Sequence, residues 1–208
     1  MKDHGLLNLV YARLFVPRLL LVAAFTALYL GGALVASVVT GNSEFLFYMG
    51  VVVVLIPAVV VLHLRTELHI VALWGLSVWG LMHMLGGLLP VPSHLPLAGA
   101  PSVLYNLWLI PGTLKYDHVV HAYGFGLTTW VCWQGLRATV RVDGDFDATF
   151  GRLVLVVAAA LGFGALNEVM EFAATRIMAE TNVGGYVNTG WDLVSNTAGA
   201  VVVAFVIW

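Results

Sequence analysis

Apolar residues run almost unbroken through six windows, at residues 17–39, 45–64, 70–89, 117–136, 149–172 and 190–208. A bilayer core asks for roughly 20 apolar residues per helix, so each window predicts a membrane-spanning helix. The fifth can continue helically to residue 178. The connections between windows differ in style. The stretch 138–148 carries Asp143, Asp145 and Asp147, an acid spacing that invites comparison with a calcium loop. The comparison fails, because the sixth loop position is Ala148 rather than Gly and the twelfth is Val154 rather than Glu. This connection reads as a solvated loop. Between the third and fourth windows stand Pro90, Pro92, Pro96, Pro101 and Pro111, enclosing SVLYNLWLI at 102–110. That piece is too short to span and rich in aromatics, which predicts a re-entrant or interfacial segment. The connection TNVGGYVNTG at 181–190 has glycines that permit tight turns.

Composition narrows the class. The chain of 208 residues is 61% hydrophobic and 10% charged, against about 25% charge in soluble domains. A cytosolic enzyme, a nucleic-acid binder and a disordered regulator are excluded on that ground. The net charge of −2 offers no basic footprint for nucleic acid. The single cysteine, Cys132, rules out an intramolecular disulfide and reads as a structural thiol in an apolar helix. With no internal repeat and no low-complexity linker, residues 1–208 read as one integral-membrane domain. The fold class is all-α, a polytopic transmembrane helix bundle of six spans.

The bases set the orientation. With a cytoplasmic N-terminus, Lys2, Arg13, Arg18, Arg65, Arg137, Arg141 and Arg152 fall in inner segments, and only Lys115 and Arg176 fall outside. An even number of spans then places both termini in the cytoplasm. The first apolar run is longer than a signal-peptide core, so it reads as an uncleaved helix. The expected setting is the cell's inner membrane, crossed several times, with membrane lipids as partners; no oligomeric state is legible.

Ionisable residues at mid-bilayer cost about 2.5–3.5 kcal/mol each, so their positions carry information. His83 lies near the outer end of the third span, and Asp117, His118 and His121 open the fourth. Asn167, Glu168 and Glu171 come late in the fifth, and Asp192 and Asn196 occupy the first turns of the sixth. Four helices thus bring polar groups to one depth, the outer one. Helical spacing gathers them on faces: Asp117 with His121, Asn167 with Glu171, Asp192 with Asn196 and Gly199, Gly80 with His83 and Gly87. The inner half offers His63 and little else, which describes a pocket open outward and closed below. His63, His69 and His94 read as interfacial histidines, and Trp74, Trp79, Trp130 and Trp191 as interface anchors or packing.

Imidazoles with carboxylates and no paired thiols suit zinc, iron or manganese. His118, His121, Glu168 and Glu171 are candidate ligands of such a divalent metal, with His83 and Asp192 as further candidates. Asp117 or Glu171 can serve as general base, and Asn167 and Asn196 can orient ligands or substrate through hydrogen bonds. The spacing reproduces neither the zincin motif nor the Glu-x-x-His pairs of di-iron bundles. Crowded carboxylates and histidines can also perform acid–base chemistry without a metal. Taken singly, each polar residue is explained by a hydrogen bond that fixes helix register.

KYDHVVHAYGFG (115–126), LNEVMEFAA (166–174) and TNVGGYVNTGWDLVSNTAGA (181–200) resemble the YjdF-type family of bacterial and archaeal membrane proteins. The resemblance extends over most of the chain and implies the membrane architecture without supplying a reaction. A looser one is to VanZ-like envelope proteins, which carry an acidic residue followed by D-x-x-x-N-x-x-G, matched by Asp192, Asn196 and Gly199. The added Asp117, His118 and His121 depart from that pattern, so only an envelope-facing site carries over.

The expected activity is metal-assisted hydrolysis or group transfer on a lipid or envelope precursor. The rival is a small transporter or ion-binding permease, favoured by Pro57 as a break in the second span. A non-catalytic envelope scaffold is the third reading.

Overall fold

The computed structural model describes residues 16–140 and 145–208. Lys2, Arg13, Arg141 and Asp143, used above for topology and the loop reading, lie outside the described residues. The described residues form six α-helices: α1 (Pro17–Thr40), α2 (Ser43–Thr66), α3 (Ile70–Leu88), α4 (Tyr116–Thr139), α5 (Phe150–Ile177) and α6 (Tyr186–Ile207). Local chemistry sets their ends. Pro17 occupies the first turn of α1, where its missing N–H is no loss. Gly41 closes that helix at φ +66°, a left-handed conformation that suits glycine. Asn42 then starts α2 by accepting the Phe45 backbone N–H at 3.1 Å.

Pro57 does not break the second span: α2 runs through it without interruption. A proline removes one backbone donor, and a transmembrane helix tolerates that loss where local groups adjust. The support it lent to a transporter is therefore gone. α5 extends to Ile177, as its sequence allows, and α6 starts at Tyr186, earlier than the apolar window suggests.

Among the described residues, five helices are long and apolar enough to cross a bilayer; α4 is not among them. Its 24 residues suffice in length, but its polar and glycine positions lower its apolarity. α4 packs against α2, α3, α5 and α6 and buries His118, His121, Phe125, Thr129 and Trp133. A helix surrounded by other helices has little lipid to face, and it can carry polar side chains that an outer helix cannot.

The connection from α3 to α4 holds no re-entrant helix. It contains a single 3-10 turn (Leu104–Asn106) and a hairpin of two short antiparallel strands, β1 (Trp108–Ile110) and β2 (Leu114–Lys115). Its frequent prolines deny a helix the backbone donors it needs. Tyr105 reaches from this cap over Gly86 of α3, where any side chain would collide with the phenol ring.

Candidate functional site

The site grows from the closest helix contact in the bundle. α4 packs most extensively on α6. A Cβ on Gly199 would fall onto the backbone carbonyl of Ala122, and one on Gly126 would lie 3.0 Å from the carbonyl oxygen of Gly199. Glycine at 199 lets the two backbones nearly touch. One turn above this crossing, His121 of α4 meets Asp192 and Asn196 of α6. They are 2%, 1% and 0% exposed, so none of them can lean on water. Gly164 of α5 leaves room for the Asn196 amide, which would lie 2.8 Å from a Cβ there.

His121 is the hub. Its Nδ1 lies 3.0 Å from Asn196 Oδ1. An amide oxygen only accepts, so Nδ1 carries the proton and Nε2 keeps its lone pair. Nε2 faces Asp117 Oδ1 at 3.6 Å and Asp192 Oδ1 at 3.9 Å. Nδ1 also stands 3.9 Å from Glu168 Oε1. Asp117, His121 and Asp192 form one group able to hold a metal ion, and His121, Glu168 and Glu171 form another, each with ligand atoms within 4.8 Å of one another. Asp192 Oδ1, Glu168 Oε1 and Asn196 Nδ2 are buried and have no hydrogen-bond partner.

Amides and one cation hold the carboxylates. Asn167 Nδ2 donates to Glu171 Oε1 at 3.0 Å, and Asn188 Nδ2 donates to Asp192 Oδ2 at 2.6 Å. Lys115 Nζ, with its side chain 8% exposed, donates to Asp117 Oδ2 at 3.2 Å and to Asn188 Oδ1. A cavity of about 410 Å³ reaches Glu168 and Glu171 between α5 and the 183–189 segment, lined also by Thr175, Gly184 and Thr189.

Of the residues singled out from sequence, the structure brings together Asp117, His121, Glu168, Glu171, Asp192, Asn167 and Asn196. His83 borders them, its ring centroid 6.4 Å from that of His121, but its Nδ1 is taken by the Tyr105 hydroxyl. Burial pushes the Tyr105 phenol up, and the Asp117 and Glu171 charges add to the shift, so this hydroxyl keeps its proton. His118 belongs to neither group. Its Nδ1 accepts the Lys115 backbone N–H at 3.3 Å, and its ring stacks on Trp191 at 5.9 Å.

Lys115, Asn188, Tyr105 and Glu44 have structural places that the sequence reading did not assign. Asn188 carries a signal, standing four residues before Asp192 and so on its face. Glu44 carries none: only the fold brings its Oε2 to the backbone N–H of Asn182, at 2.8 Å.

The family model for DUF2238, described as a predicted membrane protein, matches residues 18–208. No curated protein and no solved structure matches the chain.

Proposed function

The chain belongs to the DUF2238 family of predicted membrane proteins, and from that premise we propose a six-span inner-membrane protein whose outward-facing site binds a divalent cation for hydrolysis or group transfer. One observation carries the reading. His121 Nε2, Asp117 Oδ1 and Asp192 Oδ1 converge with lone pairs on all three, and Asp192 Oδ1 has no hydrogen-bond partner. Electron pairs facing one another in a buried space call for a cation between them.

The spacing supports this. Two ligands each about 2.0–2.2 Å from one ion lie no more than roughly 4.4 Å apart, and His121 Nε2 stands 3.6 and 3.9 Å from the two oxygens. A nitrogen and oxygen donor set suits zinc, iron or manganese. Asp117, His121 and Asp192 would hold the ion; Glu168 lies on the Nδ1 side of the ring, whose proton is given to Asn196, so that side offers no lone pair to a second ion. When bound, the ion supplies a polarised carbonyl or phosphoryl oxygen and a more acidic water.

The chain's own residues do the rest. Asn196 fixes the His121 tautomer and ring plane. Asn167 holds the Glu171 carboxylate at the cavity that opens beside it, where that carboxylate is placed to take a proton from water or substrate. The sixth span is α4, which the surrounding helices shield from lipid. Orientation rests on the lysines and arginines; among the described residues, Arg18, Arg65, Arg137 and Arg152 lie at the helix ends away from the site, and Lys115 and Arg176 at the other.

Elemental analysis of the purified protein tests the reading. We expect a stoichiometric divalent ion that is lost in His121→Ala and in Asp192→Asn. An absence of metal in the wild type after loading with zinc or manganese overturns it, as does equal metal in both variants.

A further inference from the structure

Glu168 and Glu171 stand on the α5 wall of the 410 Å³ cavity. Asp117 and Asp192 have the Lys115 ammonium near them, directly or through Asn188. The two glutamates have no such partner: among the described residues, no lysine, arginine or histidine lines the cavity. Glu168 is nine-tenths buried, its side chain 10% exposed, and its Oε1 has no hydrogen-bond partner. Glu171 gives its Oε1 to the Asn167 amide. Its Oε2 bonds to none of the described residues and, unlike Glu168 Oε1, is not sealed from contact, so an occupant of the cavity can touch it. Two carboxylates this enclosed call for a positive charge beside them. A second metal ion suits them poorly, because His121 turns its Nδ1–H to this side. An ammonium group brings a charge and three donors of its own.

The opposite wall has the other polarity. Gly184, Gly185 and Thr189 form it, where α6 begins. Gly185 stands just before the first turn and has no side chain to cap it, and the backbone N–H groups of Tyr186 and Val187 bond to none of the described residues. A Cβ on Gly184 would fall 2.2 Å from that of Asn188, so this approach stays bare. Free N–H groups at the start of a long helix favour an anion such as phosphate, and the Thr189 hydroxyl adds a donor. The cavity thus offers a place for a positive group on one wall and for a negative group on the other. Phe172 and Tyr186, both exposed, border it and give it an apolar edge.

We propose that this cavity binds a zwitterionic phosphoethanolamine group, with its primary ammonium hydrogen-bonded to Glu171 Oε2 beside Glu168 and its phosphate at the N-terminus of α6. The apolar edge suits a lipid that carries such a group. Binding itself needs no metal ion. As the substrate of the hydrolysis or group transfer, the group rests on the function proposed above, and Glu168 joins the two places, its Oε1 3.9 Å from His121 Nδ1.

Native mass spectrometry of the detergent-purified full chain, stripped of lipid, provides the test. The probes are phosphatidylethanolamine, phosphatidylglycerol and phosphatidylcholine of one acyl composition. One phosphatidylethanolamine per chain should bind, about 10- to 100-fold more tightly than either of the others, the scale of one charge-assisted hydrogen bond. Phosphatidylglycerol lacks the ammonium, and the quaternary nitrogen of phosphatidylcholine donates no hydrogen bond. Glu171→Gln should erase the preference. Gly185→Asp puts a carboxylate at the helix start, in open space and in an extended backbone conformation that aspartate adopts as a cap. It should keep or raise the thermal midpoint while losing the lipid. Free O-phosphoethanolamine separates the two sources: competition assigns the affinity to the headgroup alone, and its absence to the intact lipid. Equal affinity for the three lipids overturns the proposal, as does a preference unchanged in both variants. Metal content is measured on the same samples. Metal-free protein that keeps the phosphatidylethanolamine preference after metal loading refutes the cation site alone. Protein with stoichiometric metal and no lipid preference refutes the headgroup site alone.

Discussion

Asn196 of α6 accepts a hydrogen bond from His121 of α4 across 3.0 Å, in a place where neither residue meets solvent. That bond decides the chemistry of the ring. It places the proton on Nδ1 and turns the Nε2 lone pair toward Asp117 and Asp192. Three residues earlier, a backbone N–H makes the opposite assignment for His118. Two histidines of one helix thus present a lone pair and a donor respectively, and local partners alone set the difference.

Asn196→Ala should therefore weaken cation binding without removing any ligand. The imidazole would lose its orienting acceptor, and groups in this position commonly govern affinity by about 10–100-fold. Isothermal titration with zinc checks this. Affinity unchanged from the wild type would mean that His121 is held by packing and that the tautomer argument is wrong.

The α4–α6 crossing predicts a steric effect. Gly199→Ala would drive a methyl group into the Ala122 carbonyl, a backbone atom that cannot rotate away. Overpacking of this kind costs about 1–3 kcal/mol, occasionally more. Thermal unfolding in detergent should show a lowered midpoint, and bound metal should fall with it because Asp192 and Asn196 ride on the displaced helix. Gly126→Ala, whose nearest obstacle is 3.0 Å away, should be milder.

Much of this was legible in the sequence, and the physical reason is simple. In a chain with few charges, each polar residue in an apolar run is costly enough to be informative, and helical spacing assigns it a face. Asp117 with His121, Asn167 with Glu171, and Asp192 with Asn196 were placed on common faces that way, and the helices bring those faces together. Pairing across long sequence distances was not legible. Nothing in the spacing could put Glu44 against Asn182, or distinguish His118 from His121, because those outcomes depend on helix order and on a single backbone hydrogen bond. Pro57 misled, since a missing donor weakens a helix without necessarily ending it. For the 102–110 segment the spacing did not foretell the 3-10 turn and the short hairpin, which arise from backbone pairing in a proline-rich stretch.

The clasp between α2 and the segment before α6 yields a dynamic prediction. Glu44 is 8% exposed, accepts the Asn182 N–H and is also bonded by the Tyr48 hydroxyl at 3.4 Å. Asn182 is held from a second side by Asn106 Nδ2 at 2.9 Å. Glu44→Ala should leave the Asn182 amide without an acceptor, at about 1–3 kcal/mol. Hydrogen exchange at that amide should accelerate by roughly tenfold or more on the same scale. Glu44→Gln, which keeps an acceptor oxygen, should exchange at a rate between the two. Identical protection in all three proteins would show that the turn is held without the clasp.

Lys115 offers the sharpest separation between a cation site and a polar network that merely fixes the helices. Its ammonium bonds Asp117 directly and reaches Asp192 through Asn188, whose Nδ2 donates to Asp192 Oδ2. One buried positive charge thus offsets Asp117 directly and touches Asp192 only through a neutral amide. Lys115→Met keeps the length and apolar stem of the side chain and removes only the charge and its donors. Breaking a buried pair from one side costs about 3–5 kcal/mol, because the remaining charge stays uncompensated. The metal-free variant should therefore unfold at a clearly lower temperature than the metal-free wild type. A divalent ion among Asp117, His121 and Asp192 would take over the missing charge, and ligand binding to the folded state raises stability in proportion to affinity. Zinc or manganese should then raise the midpoint of Lys115→Met by more than it raises that of the wild type, and should do nothing for the double variant Lys115→Met/His121→Ala. If added ions leave Lys115→Met as unstable as before, the carboxylates are serving helix register alone.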